Sequence, residues 1–196
     1  MDIGITEKEI ENRVTAIYQS PHLIQYPYHN LTHTRRVAGY TKEIASHYSL
    51  NGSDIFILTA AAWFHDIGHL YGEMQDHEER GVHIMEYYLQ SAPQDLITAI
   101  GRCIMATKFP SHPHDLHEQI ICDADTYHFG TAIFRQTDAL VREEMEMRTG
   151  NKNPHWHQGS LDLLKQHVFY TRYCQDLLAE GKEQNIAWLG SLIVKE

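Results

Sequence analysis

The chain has 196 residues, is 42% hydrophobic and 21% charged, and carries 15 histidines and a formal net charge of −10. This is the size and mix of one ordinary globular domain with a sizeable core. The acidic balance excludes a nucleic-acid duplex as the main partner, since binding phosphates along a helix needs a basic face. A small anionic substrate stays compatible, because a bound cation can reverse the local field.

The N-terminal stretch MDIGITEKEIENRV is charged and lacks the apolar region of a secretory signal. Thr6 and Glu9 have the spacing of a capping box and open an amphipathic helix through Ile10, Val14 and Ile17. Pro21 and Pro27 mark a loop, because each proline biases the preceding residue away from helix. Asn30 caps a second helix that carries His33, Val37, Tyr40, Thr41 and Ile44. Ser53 or Asp54 caps a third, from Ile55 to about Gly68, which is apolar nearly all round and so reads as buried. Its apolar run, Ile55 to Phe64, is about half of the roughly 20 residues a membrane span needs. The expectation is a cytoplasmic protein with no membrane partner.

Further helices are expected from about Asp76 to Gln90 and from Pro93, at a first-turn position, to Ala106. A loop spans Lys108 to Pro113. Helical stretches then run over Leu116–Tyr127, Ala132–Arg148, Gly159–Ala179 and Glu183–Val194. No hairpin or alternating strand pattern stands out, so the fold class is all-α, a single-domain helical bundle. Cys103, Cys122 and Cys174 are odd in number and widely spaced, which reads as reduced core thiols.

Histidine is the commonest metal ligand, so the positions of these histidines decide what they do. With 15 histidines and 11 aspartates, chance gives 15 × 11/196, about 0.8 His-Asp pairs, and the chain has two. His114-Asp115 lies in the polar segment SHPHDLHE and reads as solvated loop. His65-Asp66 ends the most apolar helix, in AAAWFHDIGH. Burying an imidazole and a carboxylate there is costly unless they pair or coordinate a metal. His33, on the preceding helix, and Asp125, ending the apolar stretch IICDAD, supply further ligands. Imidazole and carboxylate together suit Mn²⁺, Fe²⁺, Zn²⁺ or Co²⁺, with Ni²⁺ and Mg²⁺ also in range and one or two ions allowed. Four protein ligands without thiolate leave positions for water and substrate, the pattern of a catalytic site.

The order His33, His65-Asp66, Asp125 resembles the H…HD…D pattern of the HD superfamily of metal-dependent phosphohydrolases. Tyr28-His29-Asn30, with His33 after two more residues, resembles the entry motif of the cyclic nucleotide phosphodiesterases. His65-Asp66-Ile67-Gly68-His69 resembles the HDxGH run of the deoxynucleotide triphosphohydrolases. His77-Glu78-Glu79-Arg80-Gly81 resembles the HExxG/S segment of several branches, and Ala124-Asp125 the closing aspartate. The resemblance covers about Tyr28 to Gly130. It implies one HD-type helical domain over 1–196, with a motif core at about 28–130 and C-terminal helices 131–196 packing on it.

It also implies hydrolysis at phosphorus, with Asp66 able to bridge two ions and to orient or deprotonate the attacking water. A metal ion lowers the pKa of water and polarises a phosphoryl oxygen. His29, His69 and His77 are candidates to bind phosphate or protonate the leaving group, His69 ranking first for its closeness to the HD pair. Lys108 is the expected phosphate contact, with Arg80 a second basic candidate. His155 and His157 read as surface, and His167 as a hydrogen-bonded core histidine. The expected partner is a small phosphorylated substrate such as a nucleotide, phosphomonoester or diester, and a homodimer stays an option. Two other readings compete. An HD-fold di-iron oxygenase would need H…HD…H…H…D; His77 can supply one extra histidine, but Thr107 stands at the next position, leaving His112 or His114 as substitutes. A non-catalytic metal or nucleotide sensor is the third.

Overall fold

The computed structural model describes residues 4–193; Val194, the expected end of the last helix, lies outside them. Nine α-helices and two 3₁₀ turns make up the regular structure among the described residues, with no strand. The all-α expectation holds. The chain divides into two compact units.

The first unit takes in the residues up to Gln25 and His29–Asp125. It is built around α3, Gly52–Phe64, whose residues Ile57 to Phe64 are all buried. With no polar face to show, this helix is surrounded. It packs against α1 (Glu7–Tyr18), α2 (Leu31–Ala45), α4 (His77–Tyr88) and α5 (Gln94–Ala106). The partners present apolar stripes at helical spacing, Ile10, Val14 and Ile17 on α1 and Leu96, Ile100 and Ile104 on α5. The unit ends within α6, Leu116–Thr126.

The caps explain where these helices start. The Thr6–Glu9 box is present as expected, and Asn30 accepts from the amides of Thr32 and His33. The cap of α3 differs from expectation. It is Asn51, whose extended backbone lets its side chain accept from Ser53 and Asp54, while Asp54 returns the bond to Asn51. Pro93 stands at the N-cap of α5, one position before the first turn expected for it. The C-terminus of α3 also departs from the reading. The α-helix stops at Phe64, and a 3₁₀ turn, Ile67–Tyr71, follows the His-Asp pair.

The second unit comprises Tyr26–Tyr28 and the chain from Thr126 onward. It contains the 3₁₀ turn Tyr127–Gly130 and helices α7 (Phe134–Thr149), α8 (Trp156–Gln166) and α9 (Arg172–Ile193). The buried Glu144 carboxylate accepts from the Tyr28 amide at 3.0 Å and from Arg148, whose guanidinium lies over the Tyr26 ring. The expected division into helices at 159–179 and 183–194 is wrong. The break falls at His167, whose backbone is extended, and α9 runs unbroken through Gly181. That glycine serves close packing. A Cβ there would lie 1.9 Å from the Gly130 carbonyl oxygen. His167 bonds through Nε2 to the Thr126 hydroxyl at 2.9 Å, as a core histidine.

Candidate metal centre

Asn30 starts α2 so that His33 enters on its first turn, facing inward and buried. His65 and Asp66 follow α3 directly, where the chain leaves α-geometry, and both are buried. Asp125 lies in the last turn of α6 with its side chain 25% exposed, the most exposed of the four.

The four side chains converge. His33 Nε2 lies 3.1 Å from Asp66 Oδ2 and 3.2 Å from Asp125 Oδ1. His65 Nε2 lies 3.2 Å and 3.5 Å from the same oxygens and 3.3 Å from His33 Nε2. Two atoms each about 2.1 Å from one ion sit about 3.0 Å apart at a right angle and about 3.4 Å apart at the tetrahedral angle. The observed separations have that span. His65 donates its Nδ1–H to the Ala62 carbonyl at 2.9 Å, which leaves the Nε2 lone pair facing the cluster in the neutral ring. Asp66 Oδ2 is buried and receives no well-aligned hydrogen bond. A divalent cation fits this donor set: it satisfies the orphaned oxygen and takes up the imidazole nitrogens and carboxylate oxygens that converge on one point.

The other Asp66 oxygen faces a second set. Oδ1 lies 3.6 Å from His77 Nε2 and 3.8 Å from His69 Nε2. His77 donates its Nδ1–H to the Met74 carbonyl at 2.9 Å, so its Nε2 also points lone pair first. These three side chains form a further group of metal-ligating geometry. The rings of His29, His69 and His77 stack in that order, with centroids 3.9 and 3.8 Å apart. Gly68 makes the arrangement possible. The sequence reading gave it a helix-ending role, but a Cβ there would lie 2.0 Å from the His77 carbonyl oxygen. Only glycine lets the turn and α4 approach closely enough to share Asp66.

The basic residues have other partners. Lys108 is exposed and pairs with Glu79 at 2.7 Å and Asp76 at 3.6 Å. Arg80 donates to the backbone carbonyls of Gly68, Glu73 and Gln75. His114 is exposed, and Asp115 pairs with Arg102. His112 and His114 join no metal-ligating group among the described residues. All three cysteines are buried and none forms a disulfide among the described residues; burial pushes the Cys103 thiol up to about 12.

Burial opposes a charge on His33, but bonds and charge from Asp125 and Asp66 outweigh it and raise its pKa. His65 is held well above the ordinary imidazole value, where the charges and bonds of Asp66 and Asp125 again overcome burial. Burial likewise resists ionisation of Asp66, yet the charges of His65 and His29 and the bond from His33 hold it well below the carboxylate range. Asp125 is depressed too, the bonds from His33 and His65 prevailing over burial.

The signs follow by linkage. The raised histidines stabilise the metal-free fold fully below about pH 6.5, and that contribution is lost as pH rises through their higher folded values. The depressed aspartates stabilise it above about pH 4, and theirs is lost as pH falls through their lower folded values. Metal competes with the imidazole protons, so its stabilisation has the opposite trend to that of the histidines. At a hundredfold excess over Kd, an ion is expected to add about 2.7 kcal/mol, roughly 5–10 °C in Tm, at pH 8. The increment should shrink steadily towards pH 5. Thermal unfolding with and without Mn²⁺ across that range checks it, and an increment independent of pH would contradict the histidine assignment.

An all-helical fold in which His…His-Asp…Asp side chains meet at one point defines a class of protein. Residues 30–130 match the HD domain family, and the chain belongs to it, within the superfamily of metal-dependent hydrolases. The crystal structure of the Lin1889 protein from Listeria innocua is similar to it, with a TM-score of 0.65 and 21% identity over 96% of each chain. That likeness shows a shared fold. No curated protein matches the chain. No helix among the described residues is long and apolar enough to cross a membrane.

Proposed function

We propose that the protein is a metal-dependent phosphohydrolase acting on a small phosphoester, a nucleotide or a simple phosphomonoester or diester. One observation carries this reading: the two oxygens of Asp66 face two different ligand sets, His33–His65–Asp125 and His69–His77. A divalent cation held there supplies a polarised phosphoryl oxygen and a water acidic near neutral pH. Asp66 spans both sets and orients the nucleophilic water. His29, at the end of the imidazole stack, delivers a proton to the leaving oxygen. His69, ranked first for that role on sequence, is here a ligand with His77, because both direct Nε2 at Asp66.

Oxygen chemistry on this fold is the competing reading, and Thr107 weighs against it. Its hydroxyl donates to the Ile104 carbonyl at 2.7 Å, capping α5 where the oxygenase pattern wants a histidine. Assays under strict anaerobiosis discriminate. Phosphate release from nucleoside and aryl phosphates with Mn²⁺ should persist without oxygen, and oxygen uptake coupled to product formation would overturn the proposal.

A further inference from the structure

We propose that Arg80 is a positioning residue that sets the tautomer and aim of His77; this rests on the reading of His77 as a ligand partner of Asp66. Three N–H groups of the Arg80 guanidinium point at backbone oxygens. Nε donates to Gly68 at 3.1 Å, Nη1 to Gln75 at 2.9 Å, and Nη2 to Glu73. The loop from Gly72 to Asp76 is thereby wrapped around one planar cation. Between the two loop carbonyls that Arg80 holds lies Met74, whose carbonyl accepts the His77 Nδ1–H at 2.9 Å. Charge-assisted bonds to Glu73 and Gln75 leave the Met74 oxygen little freedom to turn away. With Nδ1 thus committed, the neutral ring presents its Nε2 lone pair to Asp66 Oδ1, 3.6 Å away. The bond to Gly68 ties the same guanidinium to the turn that carries His69.

Two further details belong to this device. Asp76, with a φ of 59°, turns the chain in left-handed geometry directly into α4, so the loop must be held from inside. Gly72 gives the guanidinium its space, since a Cβ there would come within 3.1 Å of Arg80 Cζ and Nε. Lysine cannot replace this arginine, because a point ammonium lacks the planar fork that reaches three oxygens at fixed angles.

The test uses the full chain, ¹⁵N-labelled and metal-free, at a pH where the ring is neutral. Long-range ¹H–¹⁵N correlation reads the tautomer of His77. The unsubstituted protein should show Nδ1–H, and Arg80→Gln and Arg80→Lys should show a mixture of tautomers. Titration with Mn²⁺ should show the affinity of the ion held by His69 and His77 falling about 10–100-fold, the scale of losing a group that orients a ligand. Gly72→Ala keeps the arginine but displaces it, and should loosen the tautomer likewise; it decides the matter if Arg80→Gln fails to fold. Unchanged tautomer and metal affinity in these variants, with only KM raised, would overturn the proposal and make Arg80 a substrate contact. If the unsubstituted chain takes up a single Mn²⁺ while the tautomer responds as expected, the two-set reading of Asp66 fails and the positioning role of Arg80 stands.

Discussion

Asp66→Asn is expected to slow every phosphoester substrate alike, by at least about 10²–10³-fold, the scale of losing one preorganised electrostatic contact to a transition state. The substitution is nearly isosteric, so the fold should survive, but the amide offers one acceptor oxygen where the carboxylate offers two. Whichever way it turns, an NH₂ group faces either the His33–His65 nitrogens or the His69–His77 nitrogens. One ligand set must lose its shared oxygen. Parallel kinetics on a nucleoside phosphate and a nitrophenyl phosphate, with metal analysis of the purified variant, check the result. Full activity on either substrate, with metal content unchanged, would remove Asp66 from the centre of the chemistry.

His29→Ala should behave differently, and the difference depends on the leaving group. An alkoxide leaves poorly unless it is protonated, so loss of a positioned acid should slow alkyl and nucleoside phosphates by roughly 10²–10⁴-fold. A nitrophenolate is already a stable anion, and its release should change only a few-fold. His69→Ala and His77→Ala are expected to slow both substrates equally, because each removes a nitrogen that faces Asp66. The ratio of rates on the two substrates, measured for all three variants, separates the roles. Equal losses for His29→Ala would assign that ring to phosphate binding and leave the proton donor elsewhere.

Side-chain chemistry made the four-residue cluster legible before any geometry was known. A His-Asp pair at the end of a helix with no polar face needs an explanation, and His33 on the preceding helix and Asp125 at the end of another apolar stretch supply it. Asn30 as the cap of α2 was readable for the same local reason. What the letters do not carry is the destination of a charge or the purpose of a glycine. Arg80 and Lys108 look like phosphate ligands because both are basic and near the motifs. In the fold Arg80 serves backbone carbonyls, which have no signature in sequence, and Lys108 pairs with Glu79 and Asp76. Gly68 reads as the end of a helix, yet both it and Gly181 mark places where two backbones nearly touch. Asn51, Ser53 and Asp54 are all capping residues within four positions, and only the backbone conformation of Asn51 decides among them.

The four converging ligands stand at 33, 65, 66 and 125, far apart along the chain. An ion gripping them is therefore a reversible cross-link that closes loops of about 30 and 60 residues, as a disulfide would in an oxidising compartment. Loop-closure entropy grows only logarithmically, and doubling the length adds about 0.6 kcal/mol, so the longer loop is scarcely harder to close than the shorter. α4 and α5 lie wholly inside the longer loop. Their resistance to proteolytic opening would thus depend on an ion held at the four-residue cluster, and chelation should shorten the lifetime of the folded chain.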